Sequence, residues 1–213
     1  MTEVLSIASE GEAAARALLE RCVSEGGVVV FPADTLYGLA CDPLSGDAVA
    51  RIQRIKGRDE GKPSAVMYFT PLTMRELVRD LGPRTREAVS ALLPGPVTLV
   101  VANPRRRYPL ACRGDPERLG VRLIEGPLAG AMTPVFQTSA NPAGEPPPTR
   151  FADLDPAILD AVDAAIDGGE LLGAPSTVID LGELDQRGEW SVLREGAVPR
   201  HEVDALLRPI ASA

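Results

Sequence analysis

The chain has 213 residues, of which 45% are hydrophobic, 24% charged and 4% aromatic, with 20 glycines and 20 prolines. That length supports one sizeable core and no linker-like stretch interrupts it, so a single domain over residues 1–213 is expected. A formal net charge of −8 weighs against a surface built for duplex nucleic acid, which needs many Lys and Arg against phosphates.

From Glu10 to Val23, alanines and leucines at helical spacing predict an amphipathic helix, stopped by Gly26-Gly27. "VVVF" then reads as a strand buried on both faces, because its apolar run is continuous and does not alternate. Ser45 is a cap for a helix with Ala48, Ile52 and Ile55 on one face, which carries Lys56 and Arg58 to its end. "SAVMYF" (64–69) is a second buried strand. Thr70-Pro71 starts another helix by its cap and first-turn preferences, and helical spacing resumes from Arg84 to Leu93, up to "PGP". Beyond it come a strand "VTLVVAN" (97–103), an Arg-rich loop (104–118) and a strand "LGVRLI". A short helix near Pro127 to Met132 and a strand ending at Thr138 follow. "NPAGEPPPT" is a constrained loop. A helix across Pro156 to Ile166, a strand "STVIDL", a hairpin strand "WSVLR" and a closing helix "RHEVDALL" finish the chain. Strands alternate with helices without strict βαβ regularity, which predicts an α/β fold with a mixed, twisted sheet.

Several chemistries are excluded. Cys22, Cys41 and Cys112 lie far apart with one histidine, His201, so neither a disulfide framework nor a zinc site has ligands at workable spacing, and the thiols read as reduced, small apolar residues. "GRDEGKP" has three residues between its glycines and Pro63 where a P-loop needs Ser or Thr. Neither G-x-G-x-x-G after a strand nor G-x-S-x-G occurs, and His201 reads as a solvated helix residue. The N-terminus lacks a basic segment followed by an apolar one, and no apolar run approaches about 18 residues, so a cytoplasmic protein without a membrane segment is expected.

What remains is a set of polar motifs between apolar segments: "PADTLYGL", "KGRDEGKP", "PGPVTLV", "GVRL", "TSANPAGEPPPT", "APSTVID" and "LREGA". Each alone fits an ordinary turn or a solvated face. Lys56, Arg58 and Lys62 place three cations within seven residues, which suits a triphosphate as well as a charged surface.

In this order the motifs resemble the YrdC/TsaC family of threonylcarbamoyl-AMP synthases, from Gly26 to about Gly196. The most specific parts are Lys56-Gly57-Arg58 (K-x-R), Ser139-Ala140-Asn141 (S-x-N), and "PSTVID" followed by "LREG". The resemblance implies a YrdC-like twisted sheet flanked by helices, with a concave ligand cavity, in the single-domain form of the family. It also implies a nucleotidyltransferase that joins L-threonine, bicarbonate or carbon dioxide, and ATP into threonylcarbamoyl-AMP and pyrophosphate. A separate tRNA threonylcarbamoyltransferase complex would receive the product for adenosine 37 of tRNA, and a weak contact with tRNA itself is compatible with the fold.

By the same resemblance Thr35, Arg122, Ser139 and Ser176 bind L-threonine, and Lys56, Arg58, Lys62, Asn141, Thr149 and Arg194 bind ATP, with Lys56 and Arg58 the catalytic cations. Mg²⁺ is expected on the phosphates, with no dedicated protein ligands. Two positions depart from the family pattern: Ala33 replaces a threonine, and Met67 stands where some members carry a histidine. The alternatives are a double-stranded-RNA-binding module and a related enzyme with another carbamoyl or nucleotide substrate.

Overall fold

A computed structural model of the chain describes residues 1–57, 64–112 and 114–212. In chain order the elements are β1 (Glu3–Ser6), α1 (Ile7–Glu10), α2 (Glu12–Ser24), β2 (Val29–Pro32), β3 (Tyr37–Cys41), α3 (Gly46–Lys56), β4 (Ala65–Tyr68), α4 (Pro71–Asp80), α5 (Pro83–Leu92) and β5 (Val97–Ala102). They continue with α6 (Pro109–Cys112), β6 (Arg118–Leu123), β7 (Val135–Ser139), α7 (Pro156–Ala161), β8 (Ala164–Asp167), β9 (Thr177–Asp180), α8 (Leu184–Arg187), β10 (Ser191–Arg194) and α9 (Arg200–Ser212). Among the described residues the strands form one mixed sheet in the order β1-β8-β2-β3-β7-β4-β6-β5-β9-β10. The α/β class and mixed sheet inferred from the sequence are as observed.

Local signals explain most boundaries. The Ser45 hydroxyl accepts the Ala48 N–H at 3.3 Å and starts α3, and Thr70 does the same for α4 through Leu72 N–H. Gly57, in the left-handed region at φ 57°, ends α3 immediately after Lys56 and donates its N–H to Arg54 and Gln53 carbonyls. The middle position of K-x-R is therefore a helix stop that fixes where Lys56 emerges.

Three sequence expectations are corrected. The helix expected across Pro156 to Ile166 ends at Ala161, and Ala164–Asp167 is β8, inserted parallel between β1 and β2. A short apolar run fits either state, and here the sheet position decides. The segment near Pro127 to Met132 holds only turns: Gly126 and Gly130 take positive φ, and Gly130 N–H donates to Phe69 C=O rather than to a helical partner. "YGL", read as the end of the polar motif "PADTLYGL", belongs to the fully buried strand β3.

Alternation along the strands divides the core. Val28, Val30, Tyr37, Leu39, Val66, Tyr68, Leu99 and Val121 join a cluster packed with α3, α4, α5 and α9 on one face. Val29, Phe31, Ala40, Met67, Phe69 and Ile166 join a second cluster under α2 on the other. Among the described residues that helix packs on β2, β3 and β8 and leaves the same face uncovered over β5 and β9, while the short α6 meets β6. Burying an apolar residue such as Phe31 contributes about 1.5–3 kcal/mol. The bare half carries polar residues instead, and there the sheet becomes the floor of a cavity.

Candidate active site

The cavity measures about 960 Å³, at the upper end of the roughly 300–1,000 Å³ of small-molecule sites. Its floor is the open face of the sheet. In β6, Leu119, Val121 and Leu123 point into the covered core while Arg118, Gly120 and Arg122 face the cavity. In β5, Val97, Leu99 and Val101 are buried, and Thr98 and Val100 face out.

Thr35, Lys56, Arg122, Ser139, Asn141, Ser176 and Arg194 all line this one cavity. Residues up to 159 positions apart in sequence are brought to it by pairing β3 with β7, β4 with β6, and β5 with β9. Arg58 and Lys62 lie outside the described residues. Thr149 is not part of the wall. It is half-buried, its carbonyl accepts the Leu171 N–H at 2.8 Å, and its methyl faces Gly173. Met67 is fully buried in the α2 core and is not on the wall, and Ala33 sits in that same core.

The two most specific motifs touch each other. Lys56 is buried, and its ammonium donates to the Ser139 carbonyl, to Asn141 C=O at 2.6 Å and to Asn141 Oδ1 at 3.3 Å. Ala143 N–H returns a bond to Lys56 C=O at 2.9 Å. Asn141 Nδ2 donates to Pro142 and Glu145 carbonyls at 2.9 and 2.6 Å, closing the turn. A cation at the end of α3 is also favoured by the carbonyl dipoles there. Lys56 thus pins the S-x-N turn as well as contributing positive charge to the wall.

The third motif pair is also one contact. Arg194 Nη2 donates to Ser176 C=O at 2.8 Å and to Ser176 Oγ at 3.2 Å, and Ser176 Oγ shares a hydrogen bond of 2.8 Å with Thr98 Oγ1. A side chain at Gly196 would collide with Pro175 and Ser176 carbonyls, so "LREG" needs its glycine to lie against "PST". Burial, and then the nearby charge of Arg122, pushes the Arg194 guanidinium below its ordinary pKa.

The polar residues of "PADTLYGL" now have places. Tyr37 OH donates to Gly169 C=O at 2.8 Å and accepts Gly168 N–H at 3.0 Å, and burial pushes its pKa up to about 12. Thr35 is buried, faces the cavity, and its carbonyl accepts Gly173 N–H at 2.9 Å. Asp34 accepts a hydrogen bond from Arg122 Nη2. Sequence reasoning assigned no role to Asp34, Thr98 or Arg118. Thr98 was visible as the one hydroxyl in an alternating strand, whereas the Asp34–Arg122 pairing had no local signal.

Among the described residues no group of three or more His, Cys, Asp and Glu side chains could hold a metal ion. Asp180, an acidic group on the wall, is already held by Arg118 at 2.5 Å and by Gly182 N–H at 2.8 Å. His201 is exposed on α9, and the three cysteines are buried free thiols. No helix among the described residues is long and apolar enough to cross a membrane.

The fold and cavity define an α/β protein that lines one cavity with hydroxyls, an amide and cations. A family model described as "Sua5_yciO_yrdC: Telomere recombination" matches residues 21–196, and the chain belongs to the Sua5/YciO/YrdC family. The threonylcarbamoyl-AMP synthase of Xanthomonas euvesicatoria pv. vesicatoria (strain 85-10) is 36% identical over 160 residues, 70% of this chain and 85% of that relative. P. abyssi Sua5, solved in complex with L-threonine, is 27% identical with a TM-score of 0.78, covering 97% of this chain and 60% of that one. The chain thus spans about 60% of the P. abyssi chain. E. coli YciO, 24% identical with a TM-score of 0.75, shares the fold over 93% of this chain and 98% of that one.

Proposed function

We infer that this chain is a threonylcarbamoyl-AMP synthase, with one catalytic domain acting in the cytoplasm. The observation that carries the reading is the convergence of Thr35, Arg122, Ser139 and Ser176 with Lys56, Asn141 and Arg194 on one cavity. The relative named for this activity and the threonine complex of P. abyssi Sua5 support it.

In the proposed reaction the amine of L-threonine forms a bond to the carbon of carbon dioxide and loses a proton, or to that of bicarbonate with loss of water, giving the carbamate of threonine. A carbamate oxygen then attacks the α-phosphorus of ATP, the bond from that phosphorus to the bridging oxygen breaks, and pyrophosphate leaves with the electron pair. Thr35, Arg122, Ser139 and Ser176 form the amino-acid side, with Arg122 facing the carboxylate. Lys56, Asn141 and Arg194 form the nucleotide side, to which the family resemblance also assigns Arg58 and Lys62. Thr149 is left out because its side chain is not part of the wall.

Positive charge fixed beside the phosphates stabilises the charge that gathers on the departing pyrophosphate, and the shared cavity supplies proximity. Magnesium is proposed to arrive as the ATP complex, held by phosphate oxygens, because the described acidic residues offer it no cage. The product would pass to a transferase complex that modifies adenosine 37 of tRNA.

Purified protein given ATP and bicarbonate is expected to release pyrophosphate only after L-threonine is added, with threonylcarbamoyl-AMP detected by mass spectrometry. Release that is indifferent to threonine would overturn the reading.

A further inference from the structure

We propose that Asp34 is a positioning residue that aims Arg122 at the amino-acid carboxylate, an inference that rests on the synthase reading above. A guanidinium has two edges that can grip a carboxylate: a side-on edge formed by Nε and Nη2, and an end-on edge formed by Nη1 and Nη2. Asp34 Oδ1 accepts from Nη2, and the two side chains are only 12% and 6% exposed. Arg122 Nε and Asp34 Oδ2 are both buried, and neither has a hydrogen-bond partner among the described residues. Nη2 is common to both edges, so this one contact ties the guanidinium down without completing a fork on either.

Asp34 therefore holds Arg122 through Nη2. Nη1, which Asp34 does not engage, is left for a carboxylate in the cavity, which Arg122 lines and Asp34 does not. Asp34 acts only through Arg122.

Charge gives the arrangement its purpose. Arg122 and Arg194 share the wall and repel each other across it. A buried cation without a counter-charge would swing away or draw in water, and Asp34 holds it in place before substrate arrives. Because Asp34 and Thr35 are neighbours in one bend, a single backbone feature delivers both the anchor for Arg122 and a threonine-side hydroxyl.

The test compares Asp34→Asn and Asp34→Glu with the wild type in steady-state pyrophosphate release, varying L-threonine and ATP separately. Loss of one charge-assisted hydrogen bond predicts KM for L-threonine raised about 10- to 100-fold in Asp34→Asn, with KM for ATP within about twofold. The preference for L-threonine over L-threonine amide, which lacks the anionic carboxylate, should narrow. Asp34→Glu keeps the charge but shifts the carboxylate by one methylene, and is expected to fall between the two. It decides the matter alone if Asp34→Asn does not fold. A folded variant with unchanged KM for L-threonine, or with both KM values raised equally, overturns the role of Asp34. A wild type without threonine-dependent release would instead defeat the synthase reading, so the two failures are distinguishable.

Discussion

One face of the sheet has two halves built on opposite plans. Where α2 lies over β8, β2 and β3, residues on that face such as Val29, Phe31, Ala40 and Ile166 are apolar and sealed from water. Where α2 does not reach, over β6, β5 and β9, the corresponding positions are Arg122, Thr98 and Asp180. The opposite face is covered under both halves and shows no such change, with Leu39 and Val30 in one half matched by Leu99 and Val121 in the other. A strand of period two can therefore serve stability with one set of side chains and chemistry with the other. The cavity is made by stopping a helix short, with the polar residues following from that.

The comparison predicts that substitutions in the two halves fail in different ways. Phe31→Ala removes a fully buried ring that meets Phe69 edge-on at 6.1 Å, and should cost about 3–5 kcal/mol. At roughly 2–4 °C per kcal/mol for a chain of this size, the melting temperature should fall by about 10 °C. Turnover per folded molecule should change less than about twofold. Thr98→Val removes the hydroxyl that meets Ser176, and should move stability by no more than about 1.5 kcal/mol while raising KM for L-threonine. Calorimetry and kinetics on both variants would break the division if Thr98→Val proved the less stable protein.

Lys56 sharpens the comparison because it belongs to both plans. Lys56→Met leaves the Ser139 and Asn141 carbonyls without that donor, at a cost of about 1–3 kcal/mol for each unmet acceptor. Pyrophosphate release should drop about 100-fold, a size typical of lost electrostatic stabilisation. A lower melting temperature is expected alongside. Lost activity with an unchanged melting temperature would mean that Lys56 acts on substrate without pinning the turn.

The parts of this arrangement that were legible in the sequence are those whose signal is local. Apolar runs marked β2, β4 and β5, and Ser45, Thr70 and Gly26-Gly27 marked helix ends. The motif resemblance brought Thr35, Arg122, Ser139 and Ser176 into one group, and the structure brings them to one wall. What escaped depends on contacts distant in sequence. β8 looked helical because "AAID" has no period of its own until two parallel strands flank it. β1 is four residues at the edge of the sheet, too short and too exposed to announce itself. Thr149 was grouped with the nucleotide by motif order, yet the turn carries its side chain towards Gly173. Asp34 was quoted as part of a motif, but its partner stands 88 residues away.

The smallest predicted effect concerns the thiols, which sample the covered and open regions separately. Burial pushes Cys22 on α2 and Cys41 on β3 up from 9.0 to about 12, with acidic neighbours adding to it. Between pH 9 and about 12 the unfolded chain gives up protons that the folded chain keeps, so stability is complete below about pH 9 and declines as pH rises towards 12. Tyr37, raised from 10.0 to about 12, joins the decline above about pH 10. Cys112 on the cavity wall is also raised by burial, but Asn103 Nδ2 donates to its sulfur at 3.4 Å and opposes the shift. Melting curves from pH 8 to 11 should therefore fall less steeply in Cys22→Ala or in Cys41→Ala than in the wild type, whereas Cys112→Ala should flatten them less than either. Equal flattening by all three single variants would mean that the Asn103 contact does not ease ionisation of Cys112.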